Sequence, residues 1–518
     1  MAALRAHFLD KRNRLRTGAL LIPFLLLLLL AGCGRRGDRE ITVIHTNDLH
    51  GHVLPTRVSG WTDRTGGYAV FVSWLEGVRR ENAEKDIPTL VLDAGDIFMG
   101  TVEGNLTRGE AVVRLMNRAG YDAAAVGNHE FDYGFFNFFQ LTRQADFPFL
   151  SANIFRRETD RPPEFIRPYL VREYDGLKVG IIGVTVAETP EVTATGNVGR
   201  IFFRDPEESI RPYIRLLRGE EVDLLIVLSH LGLEEDRKLA EAVGGIDLII
   251  GGHSHDLLAK PIRAGPRPTL IVQAGSYGRF AGRLDLEVDT AEKRIVRHRE
   301  NIFVNRQYVL PADLETNQIL AEIKEEVGRG YDQTAGIALE DIISGEDRDS
   351  PLGNLITDAM RTKVDAEAAF QNPYGIRADL LRGPITRRDI YTALPFDNSI
   401  VTMELNGNRI LQLLEQSLTL RKGLLQISGL RVKYNPDRPE GSRVLSVEIG
   451  DDPLEEETYY RVATNDFLAG GGDYFSAFTE GINRVDSGVL LREAVEEYIG
   501  RNTPLHPGFG GAGRWEKK

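Results

Sequence analysis

Val126-Gly127-Asn128-His129-Glu130-Phe131-Asp132 follows the small apolar run Ala123-Ala124-Ala125 and places an amide, an imidazole and two carboxylates in adjacent positions. An apolar run that halts at glycine and then releases polar side chains reads as a strand ending in a site-forming loop. Taken alone, the stretch fits a polar turn with Asn128 as a helix cap equally well. Partners elsewhere in the chain have to decide.

The same pattern recurs on both sides of it. Ile41-Thr42-Val43-Ile44 runs into His45-Thr46-Asn47-Asp48-Leu49-His50-Gly51-His52, and Thr89-Leu90-Val91-Leu92 into Asp93-Ala94-Gly95-Asp96. Asp223 to Leu228 ends in Ser229-His230, and Asp247 to Ile250 in Gly251-Gly252-His253-Ser254-His255. Helical spacing is read over Tyr68–Arg80, Ala111–Ala119 and Pro206–Arg218, with a further strand over Val179–Val186. Alternating strands and helices predict an α/β arrangement with sheet inside, and sites in such sheets gather at the C-terminal ends of strands.

Those ends carry Asp48, His50, Asp96, Asn128, His230, His253 and His255. Asp48 and His50, like His253 and His255, are two apart and in extended chain would face the same way. Nitrogen and oxygen donors without a thiolate suit two borderline divalent ions sharing a carboxylate, with zinc, manganese, iron or cobalt favoured over calcium.

In order along the chain, Asp48-x-His50, Gly95-Asp96, Gly127-Asn128-His129-Glu130, His230 and Gly252-His253-x-His255 resemble the motifs of the calcineurin-like metallophosphoesterases. The fuller forms Asn47–His52 and Gly127–Asp132 resemble the 5′-nucleotidase family among them. The resemblance implies an N-terminal four-layer αββα sandwich and an α+β C-terminal domain. It implies one metal on Asp48, His50, Asp96 and His255, and another on Asp96, Asn128, His230 and His253. His129 would face the phosphate and be oriented by Asp132, leaving Glu130, His52 and His45 in supporting roles. A metal-activated water would attack phosphorus.

The C-terminal half carries its own likenesses to the family: Ser350–Ala359, Leu394-Pro395-Phe396 and Asn465–Asp473. These imply a nucleobase held between Phe396 and Phe467, ribose hydroxyls on Asp473, and further contacts from Asn372, Arg377 and Arg348. Where the family has consecutive glycines this chain has Pro373 and Tyr374, and proline removes an amide donor. One arginine, Arg348, stands where relatives often have two.

With 518 residues, two or more domains are expected, and 42% apolar with 27% charged residues describes a globular chain with ample core. A net charge of -13 argues against broad nucleic-acid binding. The N-terminus has a basic stretch from Arg5 to Arg16, an apolar run from Ala19 to Leu30, and Leu30-Ala31-Gly32-Cys33, which resembles a bacterial lipobox. The expected organisation is a signal peptide over 1–32, a tether over 33–40 lipidated at Cys33, a metallophosphoesterase domain over 41–308, a linker helix over 309–332 and a nucleotide-binding domain over 333–518. Cys33 is the only cysteine, so no internal disulfide can form.

The expectation is an exported, lipid-anchored phosphohydrolase of nucleoside 5′-monophosphates. The alternatives are a UDP-sugar or 2′,3′-cyclic nucleotide hydrolase, a sulfur-ester hydrolase on the same scaffold, or a lipoprotein that binds nucleotide without turnover.

Overall fold

The first strand, Asp38–Thr46, is buried along its whole second part. Ile41 and Val43 enter the core on one face and Ile44 the core on the other, as the two-residue period of a strand requires. A strand buried on both faces belongs inside a layered structure. It lies in a seven-stranded sheet ordered Arg294–Val304, Phe280–Asp289, Asp38–Thr46, Thr89–Asp93, Ala123–Ala125, Phe149–Leu150, Ile166–Arg167. The strands from Asp38–Thr46 through Ile166–Arg167 are parallel to one another, and the first two form an antiparallel edge.

A six-stranded sheet, ordered Ile262–Ala264, Thr269–Val272, Leu248–Gly251, Leu224–His230, Leu177–Thr185, Tyr169–Tyr174, faces it. Side chains of both sheets meet in one core, where Val43, Leu92 and Ala125 join Ile181, Ile226 and Ile250. Helices Tyr68–Ala83, Glu110–Ala119 and Gly134–Gln144 cover the outer face of the first sheet. Pro206–Gly219 and Leu233–Ala242 cover that of the second. The result is helix, sheet, sheet, helix. The strand ends that carry the polar clusters emerge along one edge.

The structure, a computed structural model, describes residues 37–193, 195–511 and 513–518. The expected signal peptide, Cys33 and the first half of the tether lie outside the described residues. No helix among the described residues is long and apolar enough to cross a membrane.

The sequence shows no strong apolar face between Ala312 and Arg329. In the structure the helix Leu314–Val327 nevertheless buries Leu320 and Ile323 in the core of the first domain. Two residues one turn apart give a narrow stripe, and that is enough to dock one side of a helix. Asp313 caps it, accepting from Thr316 N at 2.8 Å, and pairs with Arg118 at 3.0 Å.

The second domain is built on a five-stranded sheet ordered Gln426–Ser428, Ala368–Gln371, Tyr459–Asn465, Ser399–Asn406, Ile482–Leu490. One face packs under the helix Gly407–Ser417, the other under Pro351–Val364 and Leu491–Asn502. Contacts join the two domains. Asn105 Nδ2 donates to Pro395 O at 2.8 Å, Ser59 Oγ to Asp341 at 2.8 Å, and Arg388 pairs with Glu103.

Candidate metal centre

The strands deliver their polar residues as anticipated, but not in extended chain. Asp48 (φ 50°), His50 (φ 48°), Asp96 (φ 57°), His253 (φ 74°) and His255 (φ 59°) all lie in the left-handed region. The two-apart pairs therefore do not converge because an extended segment points both one way. They converge because tight left-handed loops fold them inward, a strain of about 1–3 kcal/mol per residue that a surrounding core must hold. Close packing enforces it. A Cβ on Gly127 would come within 2.2 Å of Asp96 Oδ1, so only glycine lets these two loops touch.

Two groups of side chains result. Asp48, His50 and His255 converge in one, Asp96, His230 and His253 in the other, and these are two candidate metal-binding sites. In the first, His50 Nε2 and His255 Nε2 are 3.1 Å apart, with Asp48 Oδ1 3.4 Å from the latter. Asp96 Oδ2 lies 3.1 Å from His230 Nε2 and 3.7 Å from His50 Nε2, between the two groups. Asn128 Oδ1 is 3.0 Å from His253 Nδ1.

The hydrogen bonds fix which nitrogens face inward. His50 Nδ1 lies 2.7 Å from Met99 O and His230 Nδ1 2.7 Å from Ala94 O. A carbonyl only accepts, so both Nδ1 atoms carry a proton and both Nε2 atoms face the centre. His230 Nε2 is buried, with Asp96 Oδ2 at 3.1 Å beside it and no well-aligned hydrogen bond. Burial opposes a charge on His230, but Asp96 and Asp48 outweigh it and lift its pKa to about 10. Burial likewise opposes ionisation of Asp96, and His230 and His129 still hold its carboxyl well below the usual range. The pocket thus calls for positive charge between its carboxylates and imidazoles. A divalent cation on this nitrogen and oxygen donor set meets that demand.

His129 stands beside the two groups, its ring 5.3 Å from that of His50. Its Nδ1 is 2.6 Å from Asp132 Oδ2, and its backbone N–H donates to Asp96 Oδ1 at 2.9 Å. Burial works against its charged form, but Asp132 and Asp96 prevail and raise its pKa. Glu130 is fully buried and accepts from the backbone of Gly127, Asp96 and Ile97 at 2.6, 3.0 and 2.9 Å, tying the Asp96 loop to the Asn128 loop. His45 is buried against Glu300 at 3.0 Å, and the ring of His52 packs against Tyr277.

Several supporting residues escaped the sequence reading. Asn47 donates to Asp48 Oδ2 at 2.7 Å and to Gly275 O at 2.5 Å, and accepts from Ala274 N at 2.8 Å. The sequence showed it only as the first residue of the Asn47–His52 motif, with no role attached. Thr193 Oγ1 donates to Asp132 Oδ1 at 2.8 Å, and Asn197 Nδ2 to Asp132 O at 2.7 Å. Tyr277 packs its ring against His50 and His255. Nothing local marked Thr193, Asn197 or Tyr277, because their partners are distant in sequence.

The second domain reaches the centre with two of its expected residues. Arg377 Nη2 lies 3.1 Å from His50 Nε2, and the Phe396 ring is 5.9 Å from His129. Asn372, Asp473 and Phe467 form a separate group. Asn372 Nδ2 donates to Asp473 Oδ2 at 2.8 Å and Asn372 Oδ1 accepts from Asn465 Nδ2 at 3.0 Å. Burial raises the pKa of Asp473, with Asn372 opposing. Phe467 lies over Gly472, where a Cβ would come within 2.5 Å of its ring. Pro373 packs against Gly423, and Tyr374 is partly exposed. Arg348 stands apart: its side chain is exposed and its stem covers Gly345.

Comparison with known proteins follows the same division into two domains. Residues 41–257 match the calcineurin-like phosphoesterase family and residues 333–480 the 5′-nucleotidase C-terminal domain. The chain is 32% identical to the snake venom 5′-nucleotidase of Crotalus adamanteus, over 92% of this chain and 88% of that one. It is 31% identical to the trifunctional nucleotide phosphoesterase of Bacillus subtilis (strain 168), over 89% of this chain but only 34% of that longer protein. The solved 5′-nucleotidase precursor of Thermus thermophilus superimposes with a TM-score of 0.86 at 35% identity, covering 92% of this chain and 99% of its own. Two matched domains in the same order, and a relative matched nearly end to end, show that this chain belongs to the 5′-nucleotidase family of metallophosphoesterases and is a hydrolase.

Proposed function

We propose that the protein removes phosphate from nucleoside 5′-monophosphates outside the cytoplasm, using two divalent ions drawn from zinc, manganese, iron or cobalt. The observation that carries this reading is the pair of facing clusters, Asp48–His50–His255 and Asp96–His230–His253, met across the domain boundary by Arg377 and Phe396. Asn128 completes the second cluster through its amide oxygen, and Asp96 lies where it would be shared. Bound cations would neutralise a phosphoryl oxygen and lower the pKa of a water.

The chain's own groups do the rest. Asp132 takes the Nδ1 proton of His129 as a hydrogen bond and favours the imidazolium, which leaves the Nε2–H to donate to an oxygen that gains charge as the ester bond breaks. The hydroxyl of Thr193 holds the other oxygen of Asp132 and so fixes the ring's orientation. Arg377 brings a second fixed positive charge to the same space. Asp473, held by Asn372, is an acceptor for ribose hydroxyls, and Phe396 and Phe467 offer faces for a base. Export and a lipid anchor rest on the apolar run from Ala19 to Leu30 and on Leu30-Ala31-Gly32-Cys33.

Phosphate release from AMP, UDP-glucose, a 2′,3′-cyclic nucleotide and an aryl phosphate, measured on metal-stripped protein and after addition of single metals, tests the reading. AMP is expected to react fastest and only with metal. Reaction of the aryl phosphate alone would remove the nucleotide assignment, and full activity of stripped protein would remove the metals. A Cys33→Ser protein that still fractionates with membranes would count against the anchor.

A further inference from the structure

A second charged space adjoins the metal centre. A cavity of about 640 Å³ opens between the domains, with Gly51 and His52 on one wall and Ala378 and Asp379 on the other. It begins one residue beyond His50 and one beyond Arg377. Its carboxylates are all committed. Glu103 and Asp332 pair with Arg388. Asp379 accepts from the backbone N–H and the hydroxyl of Ser344, both at 2.8 Å, and Asp389 caps the helix Arg387–Ala393.

Its cations are not. Arg57, Arg64, Arg279 and Lys324 also line it, and none of the four makes an ion pair among the described residues. Arg57 reaches only the carbonyl of Arg382, at 3.0 Å, and Arg64 only that of Pro55, at 3.5 Å. Arg279 is partly buried, its Nε is wholly enclosed without a partner, and its guanidinium lies 4.9 Å over the ring of Tyr277. The buried Nδ1 of His52, a residue 4% exposed, is also unpartnered at this wall. Asp379 acts on Arg279 only through space and forms no ion pair with it, so the guanidinium keeps its donors free, and guanidinium forks suit phosphate oxygens. Tyr277 also touches His50 and His255, so the wall of the cavity is one side chain removed from the first metal cluster.

We propose that this cavity is a second oxyanion site, which takes a phosphate group separate from the one presented to the metal centre. The group comes either from free inorganic phosphate or from the outer phosphate of a nucleoside diphosphate. The second source rests on the nucleotidase reading, and the first does not. Arg279 supplies the enclosed contact, and Lys324, Arg57 and Arg64 supply positive charge at the exposed mouth.

The test uses the metal-loaded full chain, as wild type and as Arg279→Ala and Lys324→Ala. Lys324 is exposed on its helix, so that variant leaves the packing of Tyr277 intact. Calorimetric titration with inorganic phosphate should show a second binding event in wild type that both variants weaken, while AMP turnover stays unchanged. That result with ADP turnover also unchanged assigns free phosphate. A fall of about tenfold or more in kcat/KM for ADP alone assigns the outer phosphate of a diphosphate, in line with a lost charge-assisted hydrogen bond. A single binding event in all three proteins with ADP unaffected overturns the proposal. So does a parallel fall in AMP turnover, which would place Arg279 in the site already described. A wild type that shows the second event but turns over no nucleotide keeps the cavity and removes the nucleotidase reading.

Discussion

The two halves of the site are built in different ways. In the first domain, Asp48, Asp96, Asn128 and His230 are each no more than 2% exposed, held on loops at strand ends and braced by neighbours such as Glu130 and Asn47. In the second, Phe396, Phe467 and Arg377 are only partly buried, and Arg348 is exposed. The first half is fixed by the core beneath it. The second is fixed by how one domain meets the other. Chemistry that needs positions accurate to a fraction of an ångström belongs on the rigid half, whereas recognition of a flat base tolerates looser placement.

The contrast is broken most directly at Asp96. Asp96→Asn should lower turnover of every substrate alike, by more than the roughly 10²–10³-fold cost of losing one transition-state donor. Phosphate release on AMP and on an aryl phosphate, with metal content measured in parallel, reads it. An effect confined to AMP would mean that the first domain also recognises the nucleoside. His129→Ala should cost about 10²-fold or more in kcat while metal content stays at the wild-type level. Loss of both metals there would move His129 into the ligand set.

On the second half the expected effect is smaller and selective. Phe467→Ala should weaken transition-state binding of nucleotides by about 1–3 kcal/mol and leave the aryl phosphate untouched. An equal loss on both substrates would show that the ring supports the fold rather than a base.

The smallest effect concerns stability behind the metal loops. Asp236 is fully buried, accepts from Ser229 Oγ at 2.5 Å, and has an unpartnered Oδ2. Burial raises its pKa to about 7, with Ser229 opposing. An acid whose folded pKa is raised favours the folded state fully only below its unfolded value, and the benefit is lost as pH climbs from about 4 to about 7. Asp236→Asn should therefore gain in Tm relative to wild type as pH rises across that window. A difference that does not change with pH would show that the carboxyl is not protonated in the fold.

Much of the first half was legible because its chemistry is local. Gly-Asp, Gly-Asn-His-Glu and Gly-His-x-His each keep donors within a few residues, at the ends of apolar runs whose period marks them as strands. The helices Glu110–Ala119 and Pro206–Gly219 and the strand Leu177–Thr185 lie within two residues of their sequence reading. What the local pattern could not supply was conformation. It suggested extended pairs, and the chain uses left-handed turns instead, since nothing in a two-residue spacing records φ. Nor could it show that Thr193 holds Asp132 across 61 positions, or that Tyr277 joins the two histidines of the first cluster to Arg279.

Residue order alone establishes which donors exist, that they sit at strand ends, and that a second domain with aromatic and acidic residues follows. Side-chain chemistry and hydrophobic period are properties of short stretches, so a linear reading reaches them. The folded chain was needed to show that Arg377 and Phe396 cross the domain boundary to the candidate metal centre while Arg348 does not, and that four cations line one cavity without making an ion pair among the described residues. Those outcomes depend on packing between segments hundreds of residues apart, and burial and electrostatic pairing are settled only once that packing is made.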